Sequence, residues 1–232
     1  MIKLVLVRHG ESVWNKENKF TGWTDVDLSN EGIEFAKKAG VLLYQNNYDF
    51  DIVYTSVLKR AIDTCNYIIN EMKDTDLTIK RSYKLNERHY GALQGLNKQE
   101  TALKYGEEQV HLWRRGYSIK PPELTIDDSR YPGNDPLYRN IDKEKLPLSE
   151  SLKDTVKRVV EYYEEEIKPN IINHKNVMIV AHGNSLRGLI KYLDNISDED
   201  IMNVELPTGI PLIYELDDNL KPIRHYYINE EN

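Results

Sequence analysis

The stretch "KLVLVRHGES" (residues 3–12) decides how the rest of the chain is read. Leu4, Val5, Leu6 and Val7 form an unbroken apolar run, the pattern of a strand buried on both faces, as in a parallel sheet. The run then breaks into Arg8, His9, Gly10, Glu11 and Ser12. Polar and titratable groups placed at the end of a buried strand lie where open α/β sheets bind their ligands.

A second run repeats the pattern. "NVMIVAHGNS" (176–185) is again an apolar strand that ends in His-Gly. His9 and His182 would face one another if their two strands were neighbours, which sequence alone does not decide. Each histidine precedes a glycine, which permits close backbone approach, and then a segment whose N–H groups suit an anion at a helix N-terminus. Arg8 adds a fixed guanidinium beside His9.

Between these runs, strands alternate with amphipathic helices. The pattern predicts an α/β fold in three layers, with a mainly parallel central sheet and helices on both faces. Ser29 should cap a helix with Ile33, Ala36, Gly40, Leu43 and Tyr44 on its inner face. "DIVYTS" (51–56) reads as a strand, and Ser56 as the cap of the helix "VLKRAIDTCNYIINEM", with Arg60 in its first turn. That location disfavours a cation, and so points to an anion nearby. A further strand is expected near 78–83. Ser151 and Asp154 suggest a capping box for a helix facing inward through Leu152, Val156, Val159, Val160 and Tyr163, which Pro169 should end. "PLIYEL" and "PIRHYYI" read as a closing strand pair, with Pro211 and Pro222 at starts or edges.

Residues 84–149 depart from the pattern, with aromatic residues, "PPEL" and "DDSRYPGNDPLY". A stretch this long without regular alternation is usually functional, and its tyrosines argue against disorder. It reads as an insertion over the site, within one domain spanning 1–232.

Composition narrows the classes of function. At 232 residues and 40% hydrophobic content the chain can build a self-sufficient core. No apolar run reaches the ~18 residues of a membrane helix, and the first ten residues lack the features of a signal peptide. The single cysteine, Cys65, fits a reducing compartment, so a cytoplasmic location is expected. A net charge of −7 offers no global attraction for nucleic acid or an anionic membrane; any anionic ligand must be drawn by local arginines. The histidines at 9, 89, 111, 174, 182 and 225 contain no short-spaced ligand pair, so no metal is expected.

A histidine facing arginines is pushed toward its neutral form, which frees a ring nitrogen for attack on phosphorus. A second histidine can donate a hydrogen bond to phosphoryl oxygens in transit. Phosphoryl transfer at a hydroxyl also needs a group that accepts and returns the proton.

"LVRHGES" with the distant "AHGNS" resembles the histidine phosphatase superfamily. "KFTGWTDVDLS", "YTSVLKRA", "KLNERHYGALQGLNK", "WRRGY" and "YPGNDPLY" resemble its cofactor-dependent phosphoglycerate mutases. The likeness runs nearly the whole chain. It implies interconversion of 3-phosphoglycerate and 2-phosphoglycerate, primed by 2,3-bisphosphoglycerate and requiring no metal, in a homodimer or homotetramer. By the same resemblance His9 carries the phosphoryl group, His182 stabilises the transition state, and Glu87 in "NERHY" manages the hydroxyl proton. Arg8, Asn15, Thr21, Gly22, Arg60, Glu87, Tyr90, Lys98, Arg114, Arg115, Gly183 and Asn184 become substrate contacts; family tails often cover the site, and the one here, "YYINEEN" (226–232), is short and polar. Glu11 and Ser12 support the His9 loop. Two other readings remain: a phosphohistidine phosphatase on a small phosphometabolite, with water as acceptor, and a non-catalytic phosphometabolite sensor on the same fold.

Overall fold

The computed structural model describes residues 2–73, 77–173 and 175–228. Six strands form one sheet in the order β3-β2-β4-β1-β5-β6. They are β1 (Ile2–Arg8), β2 (Ile52–Thr55), β3 (Thr78–Arg81), β4 (Val177–Ala181), β5 (Leu212–Leu216) and β6 (Pro222–Tyr227). The first four are mutually parallel where they pair, and β5 and β6 close the sheet antiparallel. Pro222 opens the edge strand, where its missing N–H breaks no interior ladder.

The helices are α1 (Val13–Lys16), a single turn, then α2 (Asn30–Gln45), α3 (Lys59–Met72), α4 (Lys98–Tyr105) and α5 (Glu107–Arg115). α6 (Leu152–Tyr162), α7 (Lys168–Ile172) and α8 (Gly183–Leu193) follow. Alternation along β1 splits its side chains between two cores. Val5 and Val7 pack with Ala39, Leu42, Leu43 and Ile68 of α2 and α3, while Leu4 and Leu6 pack with Val159, Leu186 and Leu189 of α6 and α8. The fold is therefore the three-layer α/β arrangement expected, with a mainly parallel sheet at its centre. Among the described residues no helix is long and apolar enough to cross a membrane.

Several local expectations need correction. Tyr44 is exposed in the last turn of α2, and the buried face runs through Gly32, Ala36, Ala39, Gly40, Leu42 and Leu43, with Ile33 half-buried. Ser56 does not cap α3, because the helix starts at Lys59 after an extended Leu58. Ser29 and Ser151 do cap α2 and α6, the latter in a reciprocal box with Asp154. On α6 the buried positions are Leu152, Thr155, Val159 and Tyr162, while Val156 and Val160 are half-buried. Pro169 does not end that helix. A π turn (Tyr163–Ile167) carries the chain into α7, with Pro169 in its first turn. Its missing N–H is tolerated there, and the wider turn relieves the clash a proline ring makes in a regular helix.

The expected insertion runs between β3 and α6. It carries α4, α5 and several 3-10 turns, and it packs on the 20–23 segment through two small cores. Leu124, Tyr131, Tyr138 and Leu146 gather on Trp23, and Leu93 and Val110 gather on Phe20. Beneath it, Arg158 of α6 meets buried Glu150 at 2.6 Å and donates to the carbonyls of Lys84, Asn86 and Glu87.

Packing of α2 on α3 depends on Gly40, where a Cβ would fall 2.5 Å from the Ile68 carbonyl oxygen. Gly40→Ala is expected to destabilise the fold by about 1–3 kcal/mol, the usual cost of overpacking a close crossing. Urea unfolding of the two proteins checks this; equal midpoints would show that the helices separate freely.

Candidate active site

Parallel pairing of β1 with β4 sets Arg8 opposite Ala181, and the His9 N–H donates to the Ala181 carbonyl at 2.9 Å. The next residues are therefore side by side, and the His9 and His182 rings lie 5.0 Å apart at 61°. Both histidines are buried. His9 Nδ1 is 2.6 Å from the Gly10 carbonyl oxygen, a contact that places the proton on Nδ1 and leaves Nε2 with its lone pair. Burial first, then the Arg60 and Arg8 charges, hold His9 well below the usual histidine range. His182 is depressed likewise, by burial, then by Arg60 and the neighbouring His9.

Ser56 sits at the end of β2, where its Oγ is 2.7 Å from His182 Nε2 and accepts from the Leu58 N–H. The direction of the Ser56–His182 hydrogen bond follows the tautomer of the imidazole, since a hydroxyl can donate or accept. His182 Nδ1 is buried and has no partner.

The two glycines have different neighbours. Gly10 is pressed against Gly32 of α2, where a Cβ would fall 2.2 Å from its carbonyl oxygen. At Gly183, by contrast, a Cβ would stand 3.3 Å from Arg8 Nε, so the missing side chain gives the guanidinium its place beside the start of α8. The turn after His9 does not present a free helix end, because Ser12 and Asn15 bond each other's backbone N–H. At α8 the Asn184 N–H is taken by Glu87 Oε1 at 3.0 Å, a carboxylate placed favourably at a helix N-terminus.

One cleft joins these groups. It is lined by every residue expected at the site except His182, which is buried beside it with its ring 5.0 Å from that of His9. Arg60, on the first turn of α3, donates to the carbonyls of Gly22 and Thr24. Burial brings its guanidinium down to about 10. Arg8 donates through Nη1 to the Leu206 carbonyl, while its buried Nε has no partner. From the insertion come Tyr90, Lys98, Arg114 and Arg115. Burial, aided by Arg114 and Arg8, pushes the Lys98 ammonium down to about 8. Glu87 Oε1 also accepts from the Arg88 N–H, so two backbone donors fix the carboxyl in the cleft.

Sequence reasoning missed Arg187, Lys19, Phe20 and the 204–206 segment, all of which line the same cleft. Arg187 could have been found, since it lies one helical turn beyond Gly183 and Asn184 on the same face of α8. It donates to Asn184 Oδ1 at 2.9 Å and to the Ile201 carbonyl. Asn184 then donates to the Tyr90 hydroxyl at 3.2 Å. Among the described residues no group of three or more His, Cys, Asp or Glu side chains could hold a metal ion. His174 and residues 229–232, which include the end of the tail, lie outside the described residues.

A cleft rich in guanidinium groups around two neutral imidazoles is suited to binding a phosphoryl group and attacking it. Its histidines also carry a stability signature. Burial holds them neutral when folded, so below about 6.5 the unfolded chain binds protons that the folded one refuses. Stability should therefore fall with decreasing pH through that value, by up to about 1.4 kcal/mol per pH unit for each histidine. Denaturant melts between pH 7.5 and 5.5, with His9→Gln as reference, measure the contribution; equal slopes would show that His9 charges in the folded protein.

Comparison with known proteins bears on the fold and the family. Among solved structures, the chain is similar to alpha-ribazole phosphatase from Shigella flexneri, at 21% identity and a TM-score of 0.70, covering 96% of this chain and 95% of that one. A mycobacterial glucosyl-3-phosphoglycerate phosphatase in complex with VO3 matches at 20% identity and a TM-score of 0.68, over 93% of each chain. Phosphoglycerate mutase from Bacillus anthracis str. Sterne matches at 21% and 0.64, over 92% of this chain and 88% of that one. At such identities the likeness establishes the fold alone. A family model, however, matches residues 4–229, the span that holds both strand-end histidines and the insertion between them, and by it the chain belongs to the histidine phosphatase superfamily, branch 1.

Proposed function

We propose that the protein is a 2,3-bisphosphoglycerate-dependent phosphoglycerate mutase, interconverting 3-phosphoglycerate and 2-phosphoglycerate. The observation that carries this reading is the insertion. Tyr90, Lys98, Arg114 and Arg115 of the insertion line the same cleft as His9, Arg8 and Arg60. Cations supplied both by the strand-end region and by the insertion suit a ligand that carries more than one anionic group.

In this scheme His9 Nε2 carries the phosphoryl group, the other ring nitrogen being held by Gly10. The P–N bond breaks as the 2-hydroxyl of 3-phosphoglycerate bonds to phosphorus, and Glu87 takes the hydroxyl proton. His182, Arg8 and Arg60 stabilise the equatorial oxygens in transit. The bisphosphate reorients, His9 Nε2 takes the other phosphoryl group, and Glu87 returns the proton to the 3-oxygen. Atoms and charge balance over the cycle, and His9 ends phosphorylated as it began. Asn15, Thr21, Gly22, Gly183 and Asn184 complete the binding surface. The reading extends to a cytoplasmic homodimer or homotetramer acting on small molecules, with no metal, nucleic acid or membrane involved.

Conversion of 3-phosphoglycerate to 2-phosphoglycerate in excess chelator, with and without catalytic 2,3-bisphosphoglycerate, is the test. Activity that survives chelation and rises with the bisphosphate is expected. Phosphate release without isomerisation would move the assignment to a phosphatase, and neither activity to a sensor. His9→Ala should lose both activity and labelling by radioactive bisphosphate. Glu87→Gln should lose about 10²- to 10⁴-fold in kcat, the range for a positioned acid or base; a loss under about threefold would remove Glu87 from that role.

A further inference from the structure

An acidic side chain, Glu205, lines this cationic cleft. Its Oε1 lies 2.6 Å from Arg115 Nη2, in an ion pair that leaves the glutamate side chain 73% exposed and the arginine 26% exposed. Arg8, Arg60, Lys98, Arg114 and Arg187 also line the cleft, and among the described residues none of them meets a carboxylate within ion-pair distance. Lys19, also of the cleft, pairs with Glu17, so Arg115 is set apart from the other guanidinium groups there by an anion already in place.

The backbone on either side of Glu205 is held by the cleft itself. Arg187 donates to the Ile201 carbonyl and Arg8 to the Leu206 carbonyl at 2.7 Å. The main chain is pinned at both ends, while the carboxylate stands in solvent and can rotate away without disturbing either anchor. Arg115 ends α5, where the helix terminus favours a cation.

We propose that Glu205 is a specificity-determining residue: a built-in carboxylate that occupies Arg115 in the empty cleft and must be displaced by the far anionic group of the ligand. The inference rests on the reading of the cleft as a site for a phosphoglycerate. A small anion such as inorganic phosphate binds at the His9 end and leaves the pair intact. A ligand with a second anionic group reaches Arg115 and replaces Glu205 there. The carboxylate then lowers the affinity of two-ended ligands, recaptures Arg115 when they leave, and so favours release.

The test is calorimetric binding of 3-phosphoglycerate and of inorganic phosphate to wild type, Glu205→Gln, Arg115→Gln and the double variant. Glu205→Gln is expected to tighten 3-phosphoglycerate about two- to fivefold, the scale of one exposed ion pair, with phosphate changed by less than about 1.5-fold. In the Arg115→Gln background the same substitution should have no effect. Unchanged or weaker 3-phosphoglycerate binding by Glu205→Gln would overturn the inference, as would equal tightening without Arg115, which would mark a general field effect. If wild type binds 3-phosphoglycerate and shows this pattern but does not isomerise it, the mutase reading fails and the inference stands. If wild type does not bind it, both fail.

Discussion

The parallel pairing of β1 with β4 is the constraint on which the site depends. Five consecutive register pairs run from Leu4 opposite Val177 to Arg8 opposite Ala181, and both strands are buried on both faces. A one-residue slip would turn each strand's apolar set onto the wrong core, so the register is held by hydrophobic burial on two sides at once. Those pairs carry no chemistry, yet they determine that two imidazoles 173 positions apart meet at 5.0 Å. The arginines then act on rings whose spacing the sheet has already set.

The insertion depends on a different kind of interaction. Its base is a buried ion pair, Arg158 with Glu150, and each partner is hydrogen-bonded beyond the pair. Burial alone would raise the Glu150 carboxyl, but the Arg158 guanidinium overrides it and holds the group below the ordinary glutamate range. Arg88 is also buried and donates to the carbonyls of Glu150 and Ile119. Buried charges of this kind contribute less to net stability than apolar packing would, because desolvation offsets their attraction. Their geometric effect is more definite: Glu87, between the Asn86 and Arg88 anchors, is delivered to the start of α8.

Much of this was legible in the residues. Apolar runs ending in His-Gly located the strand ends, and the resemblance carried by the insertion's motifs implied Tyr90, Lys98, Arg114 and Arg115 as substrate contacts, all four of which line the cleft. The adjacency of β1 and β4 was not legible, since strand order depends on tertiary pairing. Ser56 read as a helix cap because a serine before an amphipathic run has that local role; its bond to His182 is made across the sheet. Pro169 read as a helix end because sequence pattern does not show a π turn. Tyr44 has the right spacing for an inner face, but it lies in the last turn of α2, beyond the Gly40 crossing, where its ring meets the Lys73 ammonium at the end of α3 and stays exposed. Glu205 carried no signal, because an acidic residue in an acidic protein looks like solvated surface until its partner is known.

The concentration of guanidinium groups has a consequence for the folded population. Arg8, Arg60, Arg114, Arg115 and Arg187 share one small cleft, so the empty protein holds mutually repelling charges that the unfolded chain disperses. Any anion that binds only the folded state relieves that repulsion and adds RT ln(1 + [L]/Kd), about 2.7 kcal/mol at a hundredfold excess over Kd. Resistance to unfolding is then tied to the supply of ligand. A cell depleted of such anions would carry this protein nearer its unfolding threshold and expose it to proteolysis, without any change in its sequence.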